Sequence, residues 1–195
     1  MSEYFGDYIQ TDDAWDEVVW VWRHTDVPKG CRAEIIDGLI SVTPLSAGGS
    51  PYIASRVTRA LYKVVPDGWG VYQWLGTAVP DRLSLYVPDL VVMPRERDRV
   101  DSHYVPAAEA RLAVEITSKA TAHNDRVSKA AGYALAGVPL YLLIDALAPE
   151  GPTVSLYGEP QQGAYRLLSA CRFGDVIRLP EPFGLKLDTS EFPTE

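Results

Sequence analysis

The sequence predicts an α/β protein, in which strands and helices alternate along one chain. Three observations support this fold class. Residues 111–145 run strand, helix, strand, which is the order of a βαβ unit. Residues 32–42 have the pattern of a β-hairpin, and residues 52–65 carry apolar side chains at helical spacing.

Apolar periodicity and turn residues predict the N-terminal elements in order: a short helix at 12–22, a hairpin at 32–42, a loop at 44–51, a helix at 52–65, and strands at 70–74 and 84–93. The first helix begins with acidic residues, which suit the positive end of the helix dipole. Asp37-Gly38 lies between two apolar runs and indicates the tight two-residue turn of the hairpin.

The C-terminal half has this predicted order: a charged, flexible loop at 94–110, a strand at 111–117, a loop at 118–124, a helix at 125–136, a strand at 140–145, a strand pair at 153–157 and 164–169, and an irregular tail. The strands at 111–117 and 140–145 are short continuous apolar runs, as buried strands are. Gly137 and Pro139 end the helix between them.

The composition, 47% hydrophobic and 23% charged, is that of an ordinary globular protein. The 195 residues suit one domain spanning 1–195, with a helical N-terminal extension at 1–30. No apolar run approaches the roughly 20 residues that cross a membrane, and no signal-peptide pattern is present, so we expect a cytoplasmic protein without a membrane partner. Cys31 and Cys171 lack zinc-site spacing and are expected to be reduced thiols.

The net charge of −8 counts against a broad nucleic-acid footprint, because non-specific DNA affinity comes from Lys and Arg on phosphates. A negative net charge is compatible with a local basic patch. Acidic clusters that bind metal also lower the net charge. Arg95, Arg97 and Arg99 alternate with acidic residues, so we expect them in a solvated loop.

Two carboxylates are embedded in apolar runs: Asp89 in the run at 86–93 and Glu115 in the run at 112–117. Burying a charge is costly unless a metal, a cation or hydrogen bonds compensate it. On neighbouring strands the two could share a hard cation such as Mg²⁺ or Mn²⁺, which prefers oxygen ligands. Such an ion polarises a phosphoryl oxygen and activates water, so the pattern indicates phosphodiester hydrolysis.

A nearby lysine would stabilise developing negative charge or orient the attacking water. Lys129 is the favoured candidate because it lies four residues after Asp125 on one helix face. Lys119, four residues past Glu115, is the competing candidate. Thr117 carries no charge but can hydrogen-bond a water.

Simpler interpretations stay open for several of these residues. Asp89 alone is typical of a turn or strand edge, and Asp125 can cap its helix or form a surface pair with Lys129. Glu115 is harder to explain in this way, since Glu is almost never fully buried without a partner. The histidines show no zinc spacing, and His123 is interpreted as a solvated loop residue.

Several segments in this order resemble one known family: 32–40, 87–92, 113–118, Asn124-Asp125-Arg126, Lys129, Tyr133, 136–139, Tyr141 and Ile144-Asp145. Together they are similar to the Uma two family, restriction-endonuclease-like proteins of the PD-(D/E)XK nuclease superfamily. The resemblance runs from about residue 30 to near the C-terminus and is strongest over 111–145.

The resemblance implies a restriction-endonuclease-like α/β core, with a central mixed β-sheet flanked by helices, and Mg²⁺-dependent phosphodiester cleavage. It implies that Asp89 and Glu115 bind the metal and that Glu34 joins them. The motif's lysine position is Thr117 here, and Lys129 matches the arrangement in which the lysine lies on the neighbouring helix.

Two functions therefore remain open. One is a metal-dependent endonuclease with nucleic acid, DNA in the first instance, as its substrate. The other is a catalytically inactive binding or assembly module on the nuclease fold, which the acidic pI and the displaced lysine favour. A homodimer is expected for a nuclease fold of this size, with Trp15, Trp20 and Trp22 available for an aromatic contact.

Overall fold

The structure, a computed structural model, describes residues 13–45, 49–95 and 104–193. In chain order the strands are β1 (Cys31–Ile36), β2 (Leu39–Pro44), β3 (Trp69–Tyr72), β4 (Gly76–Val79), β5 (Ser84–Tyr86), β6 (Leu90–Pro94), β7 (Tyr104–Pro106), β8 (Leu112–Ile116), β9 (Leu140–Asp145), β10 (Thr153–Gln161), β11 (Ala164–Arg172), β12 (Val176–Arg178) and β13 (Lys186–Asp188). The helices are α1 (Ala14–Arg23), α2 (Gly49–Leu61) and α3, which joins Ala122–Asn124, a π-helical turn at Asp125–Lys129 and Ala130–Leu135. None of these described helices is long and apolar enough to cross a membrane.

The larger sheet has six strands in the order β11-β10-β9-β8-β6-β3. Its strands β8 and β9 are parallel, and its other neighbouring pairs are antiparallel, so the sheet is mixed. The helix α3 connects the two parallel strands, because parallel neighbours need a crossover of roughly a dozen residues or more. The predicted βαβ unit and the predicted mixed sheet are therefore confirmed.

A second sheet, ordered β2-β1-β5-β4-β7, is not predicted by the sequence analysis. The predicted hairpin of β1 and β2 forms one end of it. Both turn residues, Asp37 and Gly38, have positive φ values of 50° and 81°, as a type I′ turn requires. The short strand β4 lies between β5 and β7 in this sheet, and the sequence does not predict it because its four residues carry too little pattern.

The predicted strand at 84–93 is wrong as a single element. It is two strands, β5 in the five-stranded sheet and β6 in the six-stranded sheet. Pro88 has no N–H to donate to a ladder, and the Val87 N–H donates at 2.7 Å to the Glu34 carboxylate instead. The chain thus passes from one sheet to the other just before Asp89, which places this carboxylate at the junction.

The predicted loop at 94–110 is only partly irregular. The strand β7 pairs in parallel with β4, and a 3₁₀ turn follows it at Ala107–Glu109. These residues are ordered by pairing with a distant strand, which local charge patterning does not reveal. Residues 96–103 lie outside the described part of the chain.

Several element ends also differ from the prediction. The helix predicted at 52–65 both begins and ends earlier, and α3 begins at Ala122, within the predicted loop at 118–124. The predicted irregular tail contains the β12–β13 pair, which buries Ile177 and Leu187 in the core. Tertiary burial therefore orders a segment that has little pattern of its own.

Both faces of the six-stranded sheet are buried, one under α2 and the other under α3. Side chains along β8 alternate between these faces, since successive residues of a strand point to opposite sides. Val114 packs in the α2 cluster and Ala113 in the α3 cluster. Glu115 lies two residues after Ala113 and therefore projects toward α3.

The helix α1 packs on β1 through two tryptophans. Trp15 and Trp22 are partly buried against the apolar cluster beneath the helix, and the Trp22 indole N–H donates to the Ala33 carbonyl at 2.9 Å. Trp20 is 44% exposed, and its ring stacks on His24. Two of the three tryptophans considered for a dimer contact are thus used within the chain, and the homodimer stays a prediction.

We predict that Gly132→Ala destabilises the fold. A Cβ at this position would lie 2.6 Å from Cε2 of Tyr86 and would also contact its hydroxyl. Tyr86 is fully buried, packs edge-on against Tyr133 and donates to the Ser128 carbonyl, so its ring has little freedom to move. We expect a loss of about 1–3 kcal/mol in the free energy of unfolding, measured by urea denaturation.

At an exposed helix position, Gly→Ala raises the free energy of unfolding by roughly 1 kcal/mol, because alanine has the higher helix propensity. At position 132 we expect the free energy of unfolding to fall instead. Ser128→Ala, in the same helix, adds no volume and is the matched control. A Gly132→Ala protein as stable as the wild type would show that α3 does not pack tightly against Tyr86.

Candidate active site

Asp89 immediately precedes β6, and Glu115 lies on the neighbouring strand β8. In the antiparallel pair β6–β8, Leu90 is opposite Val114, and one step further along this register brings Asp89 opposite Glu115. The Asp89 carboxylate accepts the Ile116 N–H at 2.8 Å, which holds it against β8. Facing positions of an antiparallel pair are about 5 Å apart at Cα, so the two side chains share one face and one level of the sheet.

The helix α3 brings a fully buried ammonium group to these strands. Lys129 Nζ lies 2.9 Å from Glu34 Oε1, 3.1 Å from Glu115 Oε1 and 3.2 Å from Asp125 Oδ1. Lys129 is the last residue of the π-helical turn and Asp125 the first, and both are buried. Single π turns are frequent at functional sites. The favoured lysine and the accessory carboxylates Glu34 and Asp125 thus meet Glu115 around one nitrogen atom.

Arg32 joins the cluster on its other side. Its guanidinium lies 3.7 Å from the Glu34 carboxylate and 3.6 Å from the Asp89 carboxylate. Sequence analysis assigned Arg32 no role in the site. Its position two residues before Glu34 on β1 was the available signal, because alternate residues of a strand share a face.

The charges of this cluster do not balance. Among the described residues, the carboxylates Glu34, Asp89, Glu115 and Asp125 face two cations, Arg32 and Lys129. When every group is ionised, two negative charges remain in a mostly dry environment. Such a cluster takes up protons or a further cation to reduce this charge.

The pKa values of three carboxylates in this cluster are raised, as burial of a negative charge predicts. Burial raises the pKa of Glu115 well above its usual range and also raises that of Asp125, against the opposing effect of Lys129. Burial likewise raises the pKa of Asp89, although Arg32 opposes it. Burial alone would lower the pKa of Lys129, but its carboxylate neighbours outweigh burial and raise it, so Lys129 stays an ammonium ion.

Tyr133 completes the surroundings of Glu115. Its hydroxyl donates to Glu115 Oε1 at 3.3 Å, from the helical turn that follows Lys129. Burial raises the pKa of Tyr133 well above its usual range, so the hydroxyl keeps its proton. One oxygen of Glu115 therefore has both an ammonium and a hydroxyl donor.

The donor set fits a divalent cation at Asp89 and Glu115. Glu115 Oε2 is buried and has no hydrogen-bond partner, and Asp89 lines an open cleft. Mg²⁺ prefers carboxylate oxygens and keeps several waters, so two protein ligands suffice. No group of three or more acidic, His or Cys side chains in the described ranges is arranged to hold a metal ion.

Glu34, the predicted third metal ligand, already has partners at both of its carboxylate oxygens. Its Oε1 accepts the Val87 N–H at 2.7 Å and lies 2.9 Å from Lys129, and its Oε2 faces Arg32. A metal ion could bind Glu34 only by displacing one of these partners. The geometry therefore suits Glu34 better to positioning Lys129 and Arg32 than to metal ligation.

Three other candidates lie away from the cluster. Thr117 donates to the Asp145 carboxylate at 2.9 Å, and Arg126 contacts the same carboxylate at 2.7 Å. Burial would raise the pKa of Asp145, but these hydrogen bonds outweigh burial and lower it. Lys119 and His123 are exposed, which agrees with the interpretation of His123 as a solvated residue.

The cluster opens to solvent through a cleft of about 290 Å³. Arg32 and Asp89 form part of its wall, together with Ser50 and Pro51 from α2 and with Trp74. Asp89 has 13% of its side chain exposed, whereas Glu115 and Lys129 have none. A ligand in the cleft would therefore meet Asp89 first, with the ammonium group behind it.

The chain is similar to a known protein family and to solved structures. The Uma2 family model, described as "Putative restriction endonuclease", matches residues 22–190. A solved structure from Anabaena variabilis ATCC 29413, described as a "putative nuclease belonging to DUF820", is similar with a TM-score of 0.66 and 20% identity, over 91% of this chain and 96% of its own. At this identity the likeness shows a shared fold, and the predicted restriction-endonuclease-like α/β fold is confirmed. No curated protein matches the chain.

We predict that Lys129→Met costs about 3–5 kcal/mol of stability near neutral pH, because it leaves three carboxylates without their shared cation. The pKa values of Glu115 and Asp125 are raised by burial, so these groups stabilise the fold when protonated and destabilise it as pH rises through their raised values. The variant should therefore be more stable at pH 5 than at pH 8, as measured by thermal unfolding.

Adding Glu115→Gln to Lys129→Met removes one of the unpaired charges and should recover part of the loss. Lys119→Met is the matched control, since Lys119 is exposed and contacts none of these carboxylates. A Lys129→Met protein with wild-type stability at pH 8 would contradict the charge balance described above.

Proposed function

The chain belongs to the Uma2 family, and from this premise we propose that it is a metal-dependent nuclease that hydrolyses phosphodiester bonds in nucleic acid. One observation carries the proposal: Asp89 and Glu115 belong to a cluster in which four carboxylates share only two cations, one of them a buried ammonium group, and the cluster opens into a cleft. A structural ion-pair cluster has no need of excess charge or of a solvent path.

Asp89 and Glu115 would hold Mg²⁺ or Mn²⁺, which supplies polarisation of a phosphoryl oxygen and lowers the pKa of a bound water. Lys129 remains protonated, so its role is to stabilise negative charge that develops on the phosphate, and it does not act as a base. Glu34 and Asp125 fix the ammonium group in place. Arg32 orients Asp89 at the inner wall of the cleft.

A second function is supported by a different observation. Lys129 and Arg32 already contact every carboxylate of the cluster, and Lys129 occupies its centre. Such an arrangement can hold the fold together without any metal ion. The chain would then be a catalytically inactive module that binds or assembles on the nuclease fold.

We predict that the purified protein cuts nucleic acid in Mg²⁺ or Mn²⁺ and is inactive in EDTA. Glu115→Gln and Asp89→Asn should each lower the cleavage rate by about 10²-fold or more, because each removes a charge that acts on the transition state. Lys129→Met should do the same, whereas Lys119→Met should cut like the wild type. The measurement is gel-resolved cleavage of labelled single-stranded DNA, duplex DNA and RNA.

The melting temperature of each variant shows whether a lower cleavage rate comes from a lost catalytic group or from unfolding. Glu115→Gln is the most informative variant, because glutamine has nearly the same size and shape as glutamate. Equal cleavage by the wild type and by Glu115→Gln would exclude Glu115 from the reaction. Cleavage that persists in EDTA would exclude a metal-dependent reaction.

We also predict that Mn²⁺ binds the wild-type protein and raises its melting temperature, and that Glu115→Gln weakens both effects. A cation at 100 times its Kd stabilises the state that binds it by about 2.7 kcal/mol. Titration calorimetry measures the binding directly, without reference to activity. Absence of binding at millimolar Mn²⁺ would favour the inactive module over the nuclease.

A further inference from the structure

Trp74 is an exposed aromatic residue at the mouth of the candidate site. It follows β3 after one residue, and 55% of its surface is exposed. Its N–H donates to the Pro88 carbonyl at 3.2 Å, which ties it to the residue before Asp89. Trp74 and Asp89 line the same cleft. A flat apolar ring thus lies next to the carboxylate that a substrate would meet first.

The backbone of Trp74 is in a conformation that a bulky residue rarely adopts. Its φ is +55°, in the left-handed region where glycine is favoured. Glycine would adopt this φ without strain, and the indole is more than half exposed, so burial of the ring does not account for a tryptophan here. Strained residues of this kind concentrate at ligand sites, so we interpret the ring as a contact surface.

A basic strip continues from this cleft along the exposed side of α2. Arg59 and Lys63, four residues apart, line a groove of about 530 Å³ together with Tyr62. Gln73 lines both this groove and the cleft, so the two are adjacent. Neither Arg59 nor Lys63 has a carboxylate partner in the described part of the chain.

Further cations extend the strip. Arg56 and Lys186 line a groove that also includes Arg59 and Lys63, with Asp188 as its one acidic wall residue. Arg56 is partly neutralised by Glu191, at 2.9 Å. In a chain of net charge −8, this side of α2 is a local positive region beside the candidate site.

We propose that the substrate is a single-stranded segment of nucleic acid, with one base stacked on Trp74 and with backbone phosphates against Arg59 and Lys63. The proposal rests on the nuclease function and specifies its substrate. A base must be unpaired or flipped out to present its face to an indole. The strip has few cations, which suits a single strand better than the broad phosphate footprint of a duplex.

Binding is measured by fluorescence anisotropy of labelled 12-nucleotide oligo-dT, oligo-rU and a 12-base-pair duplex, in EDTA so that no strand is cut. We expect the wild type to bind the single strands more tightly than the duplex. Trp74→Ala should weaken single-strand binding roughly tenfold or more, since stacking on an aromatic ring contributes that much per base. Trp20→Ala, which removes another exposed indole on α1, should leave binding unchanged.

The phosphate contacts have a separate readout. Arg59→Ala/Lys63→Ala should lower the slope of log affinity against log salt by about 1.4, or about 0.7 for each single-strand phosphate that the protein no longer neutralises. Lys119→Ala/Arg172→Ala also removes one lysine and one arginine, from exposed positions that line none of these grooves, and is the matched control. If both pairs change the slope equally, the strip makes no specific phosphate contact and the proposal is wrong.

Trp74→Gly distinguishes a contact role from a structural role. Glycine adopts positive φ without strain, so this variant should melt at the same temperature as the wild type or higher while binding single strands more weakly. A lower melting temperature with unchanged affinity would overturn the role of Trp74.

These binding and cleavage measurements distinguish failure of the single-strand substrate from failure of the nuclease function. Tighter binding of duplex than of single strands, or equal binding by Trp74→Ala and Trp20→Ala, overturns the single-strand substrate even if the protein cuts. Strand binding that depends on Trp74, without cleavage in Mg²⁺ or Mn²⁺, supports the strand site and instead contradicts the nuclease. Comparison of the oligo-dT and oligo-rU arms identifies which sugar the site prefers.

Discussion

The structure depends on one buried ammonium group and the three carboxylates that surround it. Glu34 comes from the five-stranded sheet, Glu115 from the six-stranded sheet and Asp125 from α3, and Lys129 contacts all three. None of these charges could remain buried alone, because an unpaired buried ion is strongly destabilising. The elements that carry them must therefore meet at one point, and this requirement fixes how the sheets and α3 join.

The same cluster that joins these elements also carries the proposed chemistry. Most of a folded protein is arranged to reduce buried charge, yet this cluster retains more negative than positive groups and an unpartnered oxygen on Glu115. Natural proteins depart from the rules of stable packing mainly at functional sites. The excess charge, the π-helical turn and the positive φ of Trp74 are three such departures, and they lie along one path from the core to the cleft.

Much of the central sheet could be predicted from local pattern. The hairpin turn at Asp37-Gly38 and the apolar runs of β8 and β9 carry their signals in a few adjacent residues. The break between β5 and β6 could not be predicted in this way, because it depends on the Val87 N–H finding a carboxylate fifty-three residues away. The strands β4, β7, β12 and β13 are short and owe their order to distant partners.

The residues of the candidate site also divide into those that local sequence pattern indicates and those that it does not. Asp89 and Glu115 drew attention because a carboxylate within an apolar run is unusual, and Lys129 because it lies four residues after Asp125. The resemblance added Glu34. Arg32 was overlooked, since an arginine near a turn attracts no notice until its partners are known. The meaning of Trp74 could not be predicted, because its left-handed backbone and its exposure appear only in three dimensions.

The carboxylates also serve as backbone acceptors. Asp89 accepts the N–H of Ile116, and Glu34 accepts that of Val87, so each side chain supplies an acceptor that a backbone carbonyl supplies in a regular sheet. Loss of either acid would thus leave a backbone N–H without its acceptor, whether or not the protein is an enzyme. An intact set of these acids in a distant relative is consequently not by itself a sign of catalysis, because the same acids also support the architecture.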